Sequence, residues 1–228
     1  PLSIRLPEFA KVIKSENRGY AAGVNAGLRE ARKEGFTQLC VMNNDVIVSA
    51  DFVKSVLFSL QTNPRGCFGG KIYYAKGYEF HKHYTQGELG KVIWYAGGKV
   101  DWDHALTPHR GVNEVDHGQY DTFEETSFIT GCLMCFSKEV LDIVGPWDES
   151  YFLYFEDADY CERAKRKGIH LYYDPSIVIW HKNAQSTEGA GSALHIKYQE
   201  KNRLRFGLKY APLKTKLHLL KNYIVRTI

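Results

Sequence analysis

The chain has 228 residues, enough for one sizeable core and a small appended element, and 44% hydrophobic with 25% charged residues is the make-up of an ordinary globular protein. A formal net charge of +4 is too mild to argue for a nucleic-acid partner, whose binders concentrate Lys and Arg on one face. No apolar run reaches the length of a membrane span, and no secretory leader is visible. Val12 and Ile13 make Lys11–Lys14 a candidate short strand. The glycines and asparagines of Asn17-Arg18-Gly19-Tyr20-Ala21-Ala22-Gly23-Val24-Asn25 suit a tight turn feeding a helix, with Ala21, Val24, Leu28 and Ala31 at helical spacing and Gly35 as its stop.

Gln38–Met42 is a continuous apolar run and reads as a strand buried on both faces, as in a parallel sheet. Ser49 is the expected N-cap of a helix with Phe52, Val53, Val56, Leu57 and Leu60 on one face, closed by Pro64 and Gly66; Cys67–Tyr74 is the next strand. Helix, strand, helix, strand in succession predicts an α/β fold with a mostly parallel sheet flanked by helices. Lys91–Trp102 reads as a hairpin pivoting near Gly97-Gly98, and Asp103–Glu125, polar and without a period, as a long surface loop. A strand is expected over Thr126–Phe136, and Ser137 caps a short helix ending at Gly145-Pro146. Asp157–Lys167 is a helix stopped by Gly168; Leu171–Tyr173 and Ile177–Trp180 are short strands; Asn183–Ser192 is a loop. Residues 1–192 form one domain on this reading. Residues 193–228 form a helical appendage, in which Leu213, Leu217, Leu220 and Ile224 make an apolar stripe beside Lys214, Lys216, Lys221 and Arg226.

The five cysteines, Cys40, Cys67, Cys132, Cys135 and Cys161, are odd in number and four lie in apolar stretches, which favours free thiols in a reducing, cytoplasmic setting over a disulfide framework. Cys132-x-x-Cys135 has apolar flanks and no second pair, so core packing outweighs zinc or redox chemistry.

Three clusters stand at strand or helix ends, where open α/β sheets bind ligands. Asn43-Asn44-Asp45 follows the Gln38–Met42 strand; taken alone it reads more readily as a solvated turn than as a cation site, since Asn and Asp are turn residues. Phe152-Leu153-Tyr154-Phe155-Glu156-Asp157-Ala158-Asp159 places three carboxylates within four positions at a helix start, more than a cap needs. Asp157 and Asp159 lie two apart, so one can face a site while the other tethers the helix. His181 follows an apolar strand; a lone His is more often structural than a ligand. His81, His83, His104, His109 and His117 lie in loops without ligand spacing and read as solvated.

Taken in order and at their spacing, these segments resemble the family 2 glycosyltransferases with a GT-A fold, particularly the rhamnosyltransferase-like members. The resemblance rests on the Asn17–Asn25 segment, Asn43-Asn44-Asp45, Ile129-Thr130-Gly131-Cys132, Gly145-x-Trp147-Asp148-Glu149, Tyr151–Asp159, Trp180-His181 and Lys201-Asn202-Arg203-Leu204. It implies an inverting transfer of a sugar, rhamnose among the candidates, from a nucleotide diphosphate to a glycan or lipid-linked hydroxyl in cell-surface polysaccharide synthesis. Asp45 and His181 would bind Mg²⁺ or Mn²⁺, Asp157 would act as general base, and Asn43 would sit near the ribose beside Asn44. Gly19 and Asn25 would belong to the donor-binding wall and Gly131 would be a further substrate-binding residue; Trp147, Asp148 and Glu156 would line the acceptor side. Asn43 departs from a strict Asp-x-Asp pattern. The resemblance also implies an N-terminal strand–helix–strand unit that nothing before Asn17 matches, so the chain is expected to be a fragment or a variant with an incomplete base pocket. Two other classes compete: a non-catalytic sugar-binding or scaffold subunit of the same fold, and a nucleotidyltransferase, which the Glu156-Asp157 helix argues against. The lysine-flanked C-terminal stripe suits either a peripheral contact with the inner face of the cell membrane or a helix docked on the core or a partner.

Overall fold

A computed structural model describes residues 8–182 and 193–227; the loop expected over 183–192 lies outside the described residues. The strand expected at Lys11–Lys14 does not form. Residues 10–19 run without regular structure, and Lys11 instead pairs with Glu30 of the first helix, α1 (Tyr20–Lys33), and with Glu34, its C-cap. Then come β1 (Gln38–Met42), a short β2 (Val46–Val48), α2 (Phe52–Thr62) and β3 (Gly66–Tyr74). In α2 the buried side is Phe52, Val56 and Leu60, while Val53 and Leu57 face solvent. Ser49 is not its cap. Its N–H donates to Val178 O, which ties Ser49 to the sheet, and Asp51 takes the cap position without a side-chain bond.

The chain continues through β4 (Ile93–Tyr95), β5 (Glu124–Glu125), β6 (Leu133–Ser137), α3 (Lys138–Val144), α4 (Glu156–Arg166), β7 (His170–His181), α5 (Ala193–Tyr210) and α6 (Leu213–Thr227). Ser137 caps α3 as expected, its Oγ accepting from Val140 N at 3.2 Å. The hairpin expected around Gly97-Gly98 is replaced by isolated bridges that bind Gly98 to both His109 and Phe128. The strand expected from Thr126 begins only at Leu133, because residues 129–132 turn instead, with Leu133 N donating to Thr130 O.

The strands form one sheet in the order β1-β6-β3-β7-β2, with β4 also on β3 and β5 also on β7. The sheet is α/β in character but mixed. Among the described strands only β3 and β7 pair in parallel; the other pairs are antiparallel. The expectation of parallel pairing and two buried faces fails most clearly at β1. Leu39 and Val41 are buried and Cys40 and Met42 exposed, the alternation of a strand with one covered face. β3 and β6 are buried almost throughout and carry the core, with α1 packed on β1, α2 on β3, β6 and β7, α3 on β6 and α4 on β7.

The two short strands expected at the end of the domain are one strand, β7, interrupted by a bulge. Its pairing with β3 jumps from Gly70↔Asp174 to Lys71↔Val178. Pro175 has no N–H to give a ladder, and Asp174 Oδ1 accepts from Ser176 N at 2.9 Å to close the bulge. Gly70 lets it form: a Cβ there would sit 2.2 Å from Ile177 O.

Candidate active site

Strand register brings two of the three clusters together. β2 pairs antiparallel with the end of β7, Val46 opposite His181, so Asp45, the residue just before β2, lands beside His181. Lys182 N donates to Asp45 O at 2.9 Å and locks that register. Asp45 Oδ1 and His181 Nε2 lie 3.2 Å apart, and Asn43 Nδ2 is 3.4 Å from the same nitrogen. Burial lowers the pKa of His181 against the opposing pull of the Asp45 carboxylate, which favours the neutral ring.

His181 Nδ1 is buried without a hydrogen-bond partner, and Asp45 Oδ1, equally buried, has only the 3.2 Å approach of His181 Nε2, although buried polar atoms are normally satisfied. A carboxylate and a neutral imidazole fit a divalent cation that takes its remaining ligands from water and a diphosphate. Among the described residues no group of three or more His, Cys, Asp or Glu forms a full cage, and Asp45 and His181 are the candidate ligand pair.

The third cluster opens α4. Asp157 Oδ2 accepts from Gly131 N and Oδ1 from Ala158 N, each at 2.8 Å. Burial raises the pKa of Asp157 while these backbone N–H groups lower it. Burial also raises Glu156, well above the usual carboxylate range, with the neighbouring Asp157 charge adding to the effect. Glu156 Oε2 has no partner. The two carboxyls are therefore unequal: Asp157 ionises first, because it accepts from Gly131 N and Ala158 N, whereas the backbone bond of Glu156 is to its own N–H. Asp159 turns to the other side of the helix and tethers it. It accepts from Arg163 Nε at 2.7 Å, Lys209 Nζ at 2.6 Å and Tyr210 Oη at 2.7 Å.

The turn at 131–132 links the two halves. Gly131 N holds Asp157, and Cys132 O accepts from Asn43 N at 3.1 Å. The buried Cys132 thiol has its pKa raised by burial and then by Asp45 and Asp157 together, so both carboxylates act on it. Tyr20 Oη donates to Gly131 O at 2.6 Å and fixes the turn.

One cleft of about 1220 Å³ takes in Gly19, Asn43, Asn44 and Asp45, together with Gly131, Glu156, Asp157 and His181. Three residues expected there are elsewhere. Asn25 is buried, its amide accepting from Trp147 N and donating to Trp147 O, both at 2.9 Å. Trp147 is 1% exposed and stacks on Tyr160 with ring centres 5.1 Å apart. Asp148 accepts from Ser150 and Lys209. All three serve packing between α1, the Trp147 turn and α5.

The cleft also includes residues that the sequence did not single out. His109 and His81, read as solvated, line it together with Trp94 and Asn113. His109 packs its ring on Trp94 at 4.6 Å, and its Nδ1 lies 3.1 Å from Trp94 O. Burial pushes its pKa down to about 4, so it is neutral near pH 7. Trp94 also meets His181, with ring centres 4.7 Å apart. The segment expected as a loose surface loop thus forms a wall of the cleft, pinned by the buried Lys71, which pairs with Asp116 at 2.9 Å and with Asp121. Its only signal in the sequence was an unusual density of His and Asp without a period.

Comparison with solved structures gives the class first. The chain superposes on the crystal structure of GalNAc-T7 with UDP, GalNAc and Mn²⁺ with a TM-score of 0.58 at 15% identity, over 86% of this chain and 35% of that one, which identifies the GT-A fold. The family follows from the sequence: residues 5–205 match the model described as glycosyltransferase like family 2, and the chain belongs to that family. It is 25% identical to the low-salt glycan biosynthesis hexosyltransferase Agl10 of Haloferax volcanii, over 68% of this chain and 46% of that protein. It is 23% identical to the dTDP-rhamnosyl transferase RfbF of Shigella flexneri, over 72% and 49%. A 79-residue stretch is 32% identical to the N-acetylglucosaminyl-diphospho-decaprenol L-rhamnosyltransferase of Mycobacterium tuberculosis, 35% of this chain and 25% of that one. The chain thus spans about half the length, or less, of these relatives.

Proposed function

We propose that this domain transfers a sugar from a nucleotide diphosphate to an acceptor hydroxyl with inversion at the anomeric carbon. The observation that carries the reading is the convergence, within one cleft, of the buried Asp45–His181 pair and the Asp157 carboxylate on either side of the 131–132 turn. The cleft binds the donor with its diphosphate at Asp45 and His181. Asp157, held by Gly131 and Ala158, accepts the proton of the acceptor hydroxyl as its oxygen attacks the anomeric carbon and the bond to the diphosphate breaks. The attack comes from the face opposite the leaving group, so one displacement inverts the centre and no covalent sugar–enzyme intermediate forms. Asp45 and His181 would hold a Mg²⁺ or Mn²⁺ ion, which when bound would supply positive charge to the leaving diphosphate. Glu156, which lines the same cleft with Oε2 unpartnered, lies on the acceptor side.

The names of the relatives favour a deoxythymidine-diphosphate rhamnose donor and a glycan or lipid-linked acceptor. The second half of that reading gains support from α6. Thr215 and Leu219 face the fold, while Leu213, Leu217, Leu220 and Ile224 lie on the outer side at 73%, 59%, 40% and 54% exposure, with Lys214 and Lys221 exposed beside them. An exposed apolar stripe edged by lysines suits the surface of an anionic membrane that presents a lipid-linked acceptor from the cytoplasmic side. No described helix is long and apolar enough to cross a membrane.

The reading is tested by a panel of nucleotide sugars with Mn²⁺, scored by thermal shift and then by transfer to a polyprenyl-linked acceptor. A metal-dependent rise in midpoint with one donor supports it. No shift and no transfer with any donor would remove it.

A further inference from the structure

The Lys201-Asn202-Arg203 motif has no part in the chemistry above, yet Asn202 is 1% exposed in the middle of α5. Its Nδ2 donates to two backbone carbonyls, Leu153 O at 2.7 Å and Tyr154 O at 3.1 Å. We propose that Asn202 is a positioning residue for the catalytic carboxyls. On this proposal its amide clamps the strained turn that aims Glu156 and Asp157 into the cleft. The inference rests on the role given to Asp157 in the proposed function.

The turn needs a clamp. Tyr154 and Phe155, neither of them glycine, have φ of 67° and 68°, in the left-handed region that side chains disfavour. Phe155 occupies the N-cap position of α4 but makes no side-chain cap bond. The helix that carries both carboxyls is therefore started by an unfavourable backbone that its own sequence does not stabilise. Such conformations persist only where surrounding structure enforces them.

That structure is present on two sides. On one, Phe152 O accepts from Tyr20 N at 2.9 Å, and a Cβ on Gly19 would lie 2.2 Å from the same oxygen, so the start of α1 abuts the turn. On the other, α5 lies along the turn in helical steps. Tyr198 stacks on Phe152 at 5.0 Å, Asn202 takes the two carbonyls, and Phe206 packs on Phe155 at 5.5 Å. Within that row Asn202 supplies one hydrogen to each of the two part-buried carbonyls. The aromatic contacts hold α5 against the turn but do not specify its backbone. An Asn amide is suited to this because it carries two donor hydrogens on one short side chain.

The test compares Asn202→Ala with Tyr198→Ala, a loss of packing from the same row. Amide exchange over 152–158, thermal midpoint, donor affinity, kcat and its pH profile are measured for each. Asn202→Ala should speed exchange locally over 152–158, cut kcat by on the order of 10²-fold and shift the acid limb of the pH profile, with donor affinity unchanged. Tyr198→Ala should lower the midpoint and leave kcat within about threefold and the pH profile in place. Asn202→Asp keeps the volume but offers no donor hydrogens and should behave like Asn202→Ala. Unchanged exchange and kcat in Asn202→Ala would overturn the proposal. So would losses in both variants that merely track the folded fraction, or failure of both Asn202 variants to fold, since each marks a purely structural role. If wild-type protein transfers no sugar, the functional reading fails on its own, and the exchange pattern still decides whether Asn202 holds the turn.

Discussion

Gly131 donates its backbone N–H to Asp157 Oδ2 across 2.8 Å, and this bond makes the two neighbouring carboxyls at the start of α4 chemically different. Asp157 has backbone donors that stabilise its charge; Glu156 is buried beside it with an oxygen that bonds to nothing. One is suited to take a proton and the other to keep one.

Asp157→Asn should therefore remove transfer and spare donor binding. The amide retains the shape and can still accept from Gly131 N, but it cannot take up a proton. A loss in kcat of roughly 10²–10⁴-fold is expected, with the calorimetric donor affinity within about twofold of wild type. Weakened donor binding in step with kcat would place Asp157 in binding instead.

The raised pKa values set a pH dependence. Asp157 works ionised, so kcat/KM should fall as pH drops through its pKa, on an acid limb raised from that of an ordinary aspartate. Stability runs the opposite way with pH. A carboxyl raised by folding contributes stability while protonated, and that contribution is lost as pH rises through its folded value. Glu156→Gln should therefore raise the thermal midpoint at about pH 8 and change little near its unperturbed value of about 4.3. An equal midpoint shift at both pH values would contradict this.

Asn25 separates structure from binding. Its amide completes two hydrogen bonds to the backbone of Trp147 in a buried setting. Asn25→Ala should cost about 2–3 kcal/mol of stability, read by denaturant unfolding, and leave the donor KM unchanged in the folded fraction. A raised donor KM without loss of stability would return Asn25 to the donor wall.

The helices and most strands were legible because their signals are local: apolar spacing in α1, Ser137 before α3, and the glycines after α1 and α4. Pairing direction was not, since it depends on which strands meet. β1 read as a buried parallel strand because Cys40 and Met42 are apolar, yet both lie on its exposed face. Within the site, the residues at element ends were found: Asp45, Glu156, Asp157 and His181 all line the cleft. Asn25, Trp147 and Asp148 stand near motifs in the sequence, whereas hydrogen bonding and packing put Asn25 and Trp147 in the interior and tie the half-exposed Asp148 to Ser150 and Lys209. His109 was passed over because its place depends on contacts with Trp94, Tyr95 and Phe128, distant in sequence or separated from it by turns.

The most direct test is a crystal of the protein grown with Mn²⁺ and a nucleoside diphosphate, with the metal located by its anomalous signal. The account predicts one strong peak bound by Asp45 and His181, bridged to the diphosphate, with the Asp157 carboxylate open to the same cleft. A peak held by other residues, or a diphosphate bound away from Asp45 and His181, would contradict it.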